Sequence, residues 1–231
     1  MEVERTLELA ERYKQVATAA VYSALEARHA PLNLLSLDIR PVSPDLVIAG
    51  PAFTIKAVRD PRTHHTPETE LEKFDDYAMF RAMSNGCVIV ADPGQRDTVG
   101  FWGDLMSAAA YSSGARGIVI DGCARDVRQL RKMPYFPVFS RSTTMSSTER
   151  NVLTVDFQVP IAIGGALTSL VRIDPGDWIF GDADGVVVIP TELVEDILSD
   201  AETAERREEA IRQDFEAGMP VWEVYPKHRR L

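Results

Sequence analysis

The chain is 231 residues long, 45% hydrophobic, with a formal net charge of −10, enough for one domain over 1–231 with a sizeable core. Such acidity excludes nucleic-acid binding through a broad basic face, and the one basic cluster, Lys227-His228-Arg229-Arg230, reads as a solvated tail. The start Met1-Glu2-Val3-Glu4-Arg5 lacks the apolar stretch of a signal peptide and no run nears the ~20 apolar residues of a membrane span, so a cytoplasmic protein without membrane contact is expected.

Residues 4–28 place Leu7, Leu9, Ala10, Tyr13, Val16, Ala17, Ala20, Val21 and Leu25 at helical spacing. Thr18 divides this stretch into two N-terminal helices (1–30) by acting as an N-cap. Pro31, Pro41, Ser43 and Pro44 punctuate the connection onward, and residues 47–58 turn β-like. Residues 59–70, with Pro61, His64, His65 and Pro67, read as an exposed loop. Adjacent histidines on an extended chain point to opposite faces, and no acid stands at ligand spacing. A helix is expected over 70–83, ended by Asn85-Gly86. Cys87 leads the apolar run Val88-Ile89-Val90 as a small core residue.

The central segment is the most informative. Gly100-Phe101-Trp102-Gly103-Asp104-Leu105-Met106 reads as a glycine-rich turn opening a small-residue helix (107–113). A helix start presents free N–H groups that suit a carboxylate or phosphate. A strand over 118–120 and a loop, Asp121-Gly122-Cys123-Ala124-Arg125-Asp126, come next. The loop adds a guanidinium fork and a hard oxygen ligand, so the segment describes a site for a small anionic substrate bound through a divalent metal. No paired His–Cys context marks Cys123 as a nucleophile.

Short strands and Gly/Pro/Asp turns continue through 136–139, 159–163, 171–173, 178–181 and 186–190, suggesting a sheet stack or closed barrel in a mixed α/β class. A long helix runs from about 191 to 215, with Gly218 beyond it as a stop. Its apolar stripe is Ile197, Ala201, Ala204, Ile211 and Phe215, and Glu208 falls on that stripe. A carboxylate there needs a metal, a cation or hydrogen bonds; a functional role and an ion pair with a neighbouring subunit's Arg or Lys both stand open. Glu202, Glu205 and Glu209 fall off the stripe as ordinary surface residues.

Asp104, twenty residues, then Arg125-Asp126, within Gly-Asp-Leu-Met … Gly-Ile-Val-Ile-Asp-Gly-Cys-Ala-Arg-Asp, resembles the RraA-like family. Gly50-Pro51-Ala52-Phe53-Thr54, Pro175-Gly176-Asp177 and Asp182-Ala183-Asp184-Gly185-Val186-Val187-Val188 resemble further segments of it in the same order. The family's enzymatic branch is the 4-hydroxy-4-methyl-2-oxoglutarate aldolases, divalent-metal pyruvate aldolases that also decarboxylate oxaloacetate. The resemblance implies a swivelling β/β/α fold and a homo-oligomer, trimer or dimer of trimers. It also implies Mg²⁺ or Mn²⁺ bound directly by Asp126 and through water by Asp104. Arg125 would bind the 2-oxo group, and the N–H groups of the Gly103, Asp104, Leu105 and Met106 turn would bind the pyruvyl carboxylate. Glu208, on the C-terminal helix (191–217), would reach a neighbouring subunit's metal-water shell. Residues 59–76 depart from the family, being longer and more charged than its compact Gly-Asp turn. Another class of function stays open, a non-catalytic regulator binding an RNA-degrading enzyme. A nucleotide-cofactor enzyme is disfavoured, because Phe101 and Trp102 stand where a cofactor backbone would have to approach.

Overall fold

The unbroken apolar runs of the sequence become the central strands of a large mixed sheet. A computed structural model describes residues 3–60, 76–94, 98–148 and 151–229. The chain opens with α1 (Val3–Tyr13), α2 (Thr18–Ala27), β1 (Asn33–Leu34), β2 (Arg40–Pro41), β3 (Ile48–Arg59), α3 (Asp76–Ala82) and β4 (Val88–Asp92). The central part is β5 (Gly100–Trp102), α4 (Asp104–Ser112), β6 (Ile118–Ala124), α5 (Val127–Leu130) and β7 (Val138–Thr143). Then come β8 (Val152–Phe157), β9 (Ile161–Gly164), β10 (Leu170–Ile173), β11 (Trp178–Asp182), β12 (Gly185–Ile189), α6 (Val194–Glu216) and α7 (Val221–His228).

The main sheet runs β1-β12-β11-β3-β4-β6-β7-β2, with β5 added to β6 and β8 to β3. β3, β4, β6 and β7 are parallel neighbours, and the outer pairings are antiparallel. Among the described residues the sheet is an open path with β9–β10 stacked as a second layer, rather than a closed barrel. Strands buried on both faces read as continuous apolar runs, and their period of two divides each run between two cores. Ile89, Ala91, Ile118 and Ile120 pack toward Phe53, Trp102 and Phe136. Val88, Val90 and Val119 pack on the opposite face against Ile161, Ile163, Val171 and Ile173. A third core joins α1, α2 and α6 to β11 and β12 through Tyr13, Leu25, Trp178, Phe180 and Ile197.

The helical division near Thr18 is present, but Thr18 does not cap it. Ala17 is the N-cap, and Thr18 is the first helical residue. Asp182, at the end of β11, instead accepts the Thr18 N–H at 2.9 Å and its hydroxyl at 2.6 Å, a cap supplied across the core that local sequence cannot disclose. Glu205 accepts the Ala17 N–H at 2.9 Å, so it is no ordinary surface residue. Glu202 likewise pairs with Arg12 at 2.8 Å. Replacing Asp182 by Ala is expected to cost about 1–2 kcal/mol, the range of a lost N-cap. A lower urea midpoint at unchanged slope checks this.

Lys227 and His228 do not belong to a solvated tail, and Arg230 lies outside the described residues. Lys227 and His228 end α7 and both bind Asp214, at 2.7 and 2.6 Å, which docks α7 onto α6 after the turn at Gly218. On α6, Ile197, Ala201 and Ile211 are buried while Phe215 is exposed. The strand expected over 159–163 begins at Ile161, and β8 is a strand the sequence pattern did not predict. His64, His65 and the first part of the helix expected over 70–83 lie outside the described residues, which hold its remainder as α3. Among the described residues no helix is long and apolar enough to cross a membrane.

Candidate active site

β5 and β6 run parallel, with Gly100 opposite Cys123 and Trp102 opposite Ala124. Both strands therefore deliver their C-terminal ends to one edge, where ligands of α/β sheets commonly sit. From Trp102 the chain passes through Gly103, in extended conformation, into α4. The helix begins at Asp104, earlier than the sequence suggested. By helix geometry the N–H groups of its first turn have no intrahelical acceptor. One of them is already engaged, since Leu105 N–H donates to Asp104 Oδ1 at 2.8 Å.

β6 also extends further than expected, to Ala124, and takes Asp121 and Cys123 out of the proposed loop and into the core. Asp121 is 1% exposed. It forms an ion pair with Arg141 and accepts the Gly164 N–H at 2.9 Å, so its carboxylate is spent on joining β6 to β7 and β9. Cys87 is buried too, and burial pushes its thiol up to about 11, as for an inert core cysteine.

Arg125 and Asp126 emerge just beyond the strand. The Arg125 N–H donates to Trp102 O at 2.9 Å, tying the two strand ends together. Its Nε donates to Asp126 Oδ2 at 3.2 Å, which leaves the two terminal nitrogens of the fork for other acceptors. Asp126 adopts a left-handed conformation, φ 60° and ψ 32°, which Asp tolerates better than most residues. Non-glycine residues held there cluster at functional sites. Gly103 leaves room for this side chain: a Cβ there would overlap Asp126 Oδ2, which would have to move.

Asp104, Leu105, Met106, Arg125 and Asp126 line one open cavity of about 350 Å³, together with Gly100, Phe101 and Gly103. The structure thus brings together the sequence-derived residues of the central segment. It adds Ser147 and Thr148, which sequence reasoning missed. They arrive from a hydroxyl-rich stretch more than twenty positions away, held in place because Ser146 bonds to Thr98 O and Gly100 N–H. Nothing in their spacing pointed to the site.

Glu208 is not brought there within one chain. It sits half-buried on α6, which packs on α1, α2 and α7, and its carboxylate makes no hydrogen bond or ion pair among the described residues. Among those residues no three His, Cys, Asp or Glu side chains gather as a metal cluster. The cavity itself offers two carboxylates, with open space against Asp126 that only a glycine at 103 leaves. That donor set fits a hard divalent cation, which keeps several waters and takes one or two protein carboxylates.

The sequence profile of the RraA-like family, described as Aldolase/RraA, matches residues 18–188. A Halalkalibacterium halodurans protein named "Putative 4-hydroxy-4-methyl-2-oxoglutarate aldolase" is 32% identical over 202 residues, 86% of this chain and 84% of that one. A solved structure from Pseudomonas syringae pv. tomato is similar with a TM-score of 0.77 at 27% identity, covering 94% of this chain and 96% of that one. Streptomyces coelicolor RraAS2, described as an unusual member of the RNase ES inhibitor RraA protein family, shares the fold with a TM-score of 0.74 at 23% identity, covering 89% of this chain and 97% of that one.

Proposed function

The chain belongs to the RraA-like family, and we propose that it is a carbon–carbon lyase that cleaves a 4-hydroxy-2-oxo acid to pyruvate by retro-aldol chemistry. Oxaloacetate decarboxylation is the companion reaction of the same site. The observation that carries this reading is the single cavity shared by Arg125, two carboxylates and the first turn of α4.

Both reactions break a bond to C3 of a 2-oxo acid and leave the electron pair as the enolate of pyruvate. The need is fixed positive charge where that negative charge develops. Arg125 supplies it at the 2-oxo oxygen through the fork nitrogens that Asp126 leaves free, and it keeps its proton at neutral pH. The first-turn N–H groups of α4, Met106 among them, orient the 1-carboxylate, with Asp104 giving up its hold on the Leu105 N–H. Asp104 then holds the water that accepts the 4-hydroxyl proton and returns a proton to C3. Glu208 of a second copy completes the hydrogen bonds of that water, in a trimer or dimer of trimers whose single-domain subunits each reach a neighbour with α6. The half-buried, unpartnered Glu208 and the exposed Leu105 at the cavity mouth (80% exposed) support that assembly.

A divalent cation, Mg²⁺ or Mn²⁺, held by Asp126 directly and by Asp104 and Glu208 through water, would supply Lewis acidity to the reaction. Exhaustive chelation with EDTA is expected to abolish pyruvate release, and Mg²⁺ or Mn²⁺ to restore it. Full activity after chelation would remove the cation from the account. The regulator of an RNA-degrading enzyme is the competing outcome: stoichiometric capture of a ribonuclease by a chain that releases no pyruvate would favour it.

A further inference from the structure

We propose that Trp102 is a positioning residue that holds the carboxylate-binding turn of α4 at a fixed distance from the Arg125 guanidinium. The inference rests on the reading of the site as one that binds a 2-oxo acid. Trp102 is 1% exposed at the end of β5. On one side its carbonyl accepts the Arg125 N–H at 2.9 Å. On the other its indole Nε1–H donates to Ser107 Oγ at 3.1 Å, and that hydroxyl donates to Gly103 O at 2.9 Å. Ser107 is fully buried in the first turns of α4. One residue is therefore bonded to both halves of the site, by its main chain to the guanidinium loop and by its side chain to the helix that presents N–H groups.

Core filling alone does not require this arrangement. A Phe or Leu would occupy the same apolar pocket against Phe101 and its neighbours, yet would leave Ser107 Oγ without its donor. Ser107→Ala strands the buried indole N–H, which is costly enough that the turn shifts to solvate or re-pair it, whereas Trp102→Phe leaves the Ser107 hydroxyl its bond to Gly103 O and cuts only the tie from α4 to β5. A shift of about 1 Å between two substrate anchors costs up to ~10²-fold in rate. The indole bond fixes how the Trp102 peptide is oriented, and so how firmly its carbonyl holds Arg125.

The test compares Ser107→Ala, Trp102→Phe and the double variant, well below their unfolding temperatures. Steady-state pyruvate release is measured together with amide hydrogen exchange at Arg125, with Val119 and Ile120 as controls. The expected result is a roughly tenfold loss of kcat in each single variant and no further loss in the double, because both cut the same bond. Exchange at Arg125 should be faster and exchange at the β6 controls unchanged. Destabilisation without a positioning role would lower the melting temperature and leave kcat of the folded protein intact; that result overturns the proposal. Should Trp102→Phe fail to fold, Ser107→Ala carries the comparison alone. If the wild-type chain releases no pyruvate, the functional reading falls, and the exchange measurement still decides the brace: faster exchange at Arg125 supports it, and unchanged exchange overturns it.

Discussion

Arg125→Ala is expected to lower the turnover of pyruvate release by ~10²–10³-fold, the loss typical of removing one preorganised donor to a developing oxyanion, while the fold persists. The guanidinium is partly exposed and pairs with Asp126, itself partly exposed, an arrangement that contributes little to stability. The structural link at this position is the backbone N–H to Trp102 O, which alanine retains. Melting temperature and kcat should therefore separate cleanly. Arg125→Lys restores the charge but not the planar fork that serves Asp126 and substrate together, so it should recover only part of the rate. Near-normal turnover in the alanine variant would take Arg125 out of the chemistry.

Gly103→Ala is expected to be at least as damaging, for a different reason. Gly103 has extended backbone angles, φ −133° and ψ −169°, which alanine adopts without strain. The difficulty is lateral: the added methyl would overlap Asp126 Oδ2 and stand 3.3 Å from Arg125 Cγ. Asp126 is the movable partner, being an exposed side chain, so it leaves the cavity and takes the proposed cation site with it. Displacement of a reacting constellation by about 1 Å costs ~10²-fold or more. Thermal unfolding should change little, since the collision is relieved at the cavity rather than in the core. Turnover within threefold of wild type in a folded Gly103→Ala protein would show that Asp126 need not stand where it does.

These two residues also show how far the sequence could be read. Glycine at 103 and the Arg-Asp pair stood in a recognisable order, and the parallel strands β5 and β6 bring them to one edge because each ends in an apolar run that the sheet buries. The strand at 186–189 was equally legible, since residues buried on both faces leave no alternation to misread. What escaped detection depends on partners distant along the chain. Asp182 caps α2 and Glu205 takes the Ala17 N–H, from 164 and 188 positions away; neither bond has a local pattern. Asp121 was misplaced because an acid after three apolar residues looks like the end of a strand, whereas Arg141 allows it to remain inside. Strand β8 was omitted because Val152–Phe157 alternates weakly and is only partly buried. Glu208 was legible as an acid on an apolar stripe, and one chain alone does not show what it meets.

The most direct test of the account is pyruvate release by the purified chain with Mg²⁺, coupled to lactate dehydrogenase, across oxaloacetate and a panel of 4-hydroxy-2-oxo acids. The account predicts turnover on at least one 4-hydroxy-2-oxo acid, abolished by Arg125→Ala and by chelation alike. No pyruvate from any of these substrates, or release that Arg125→Ala leaves untouched, would contradict it.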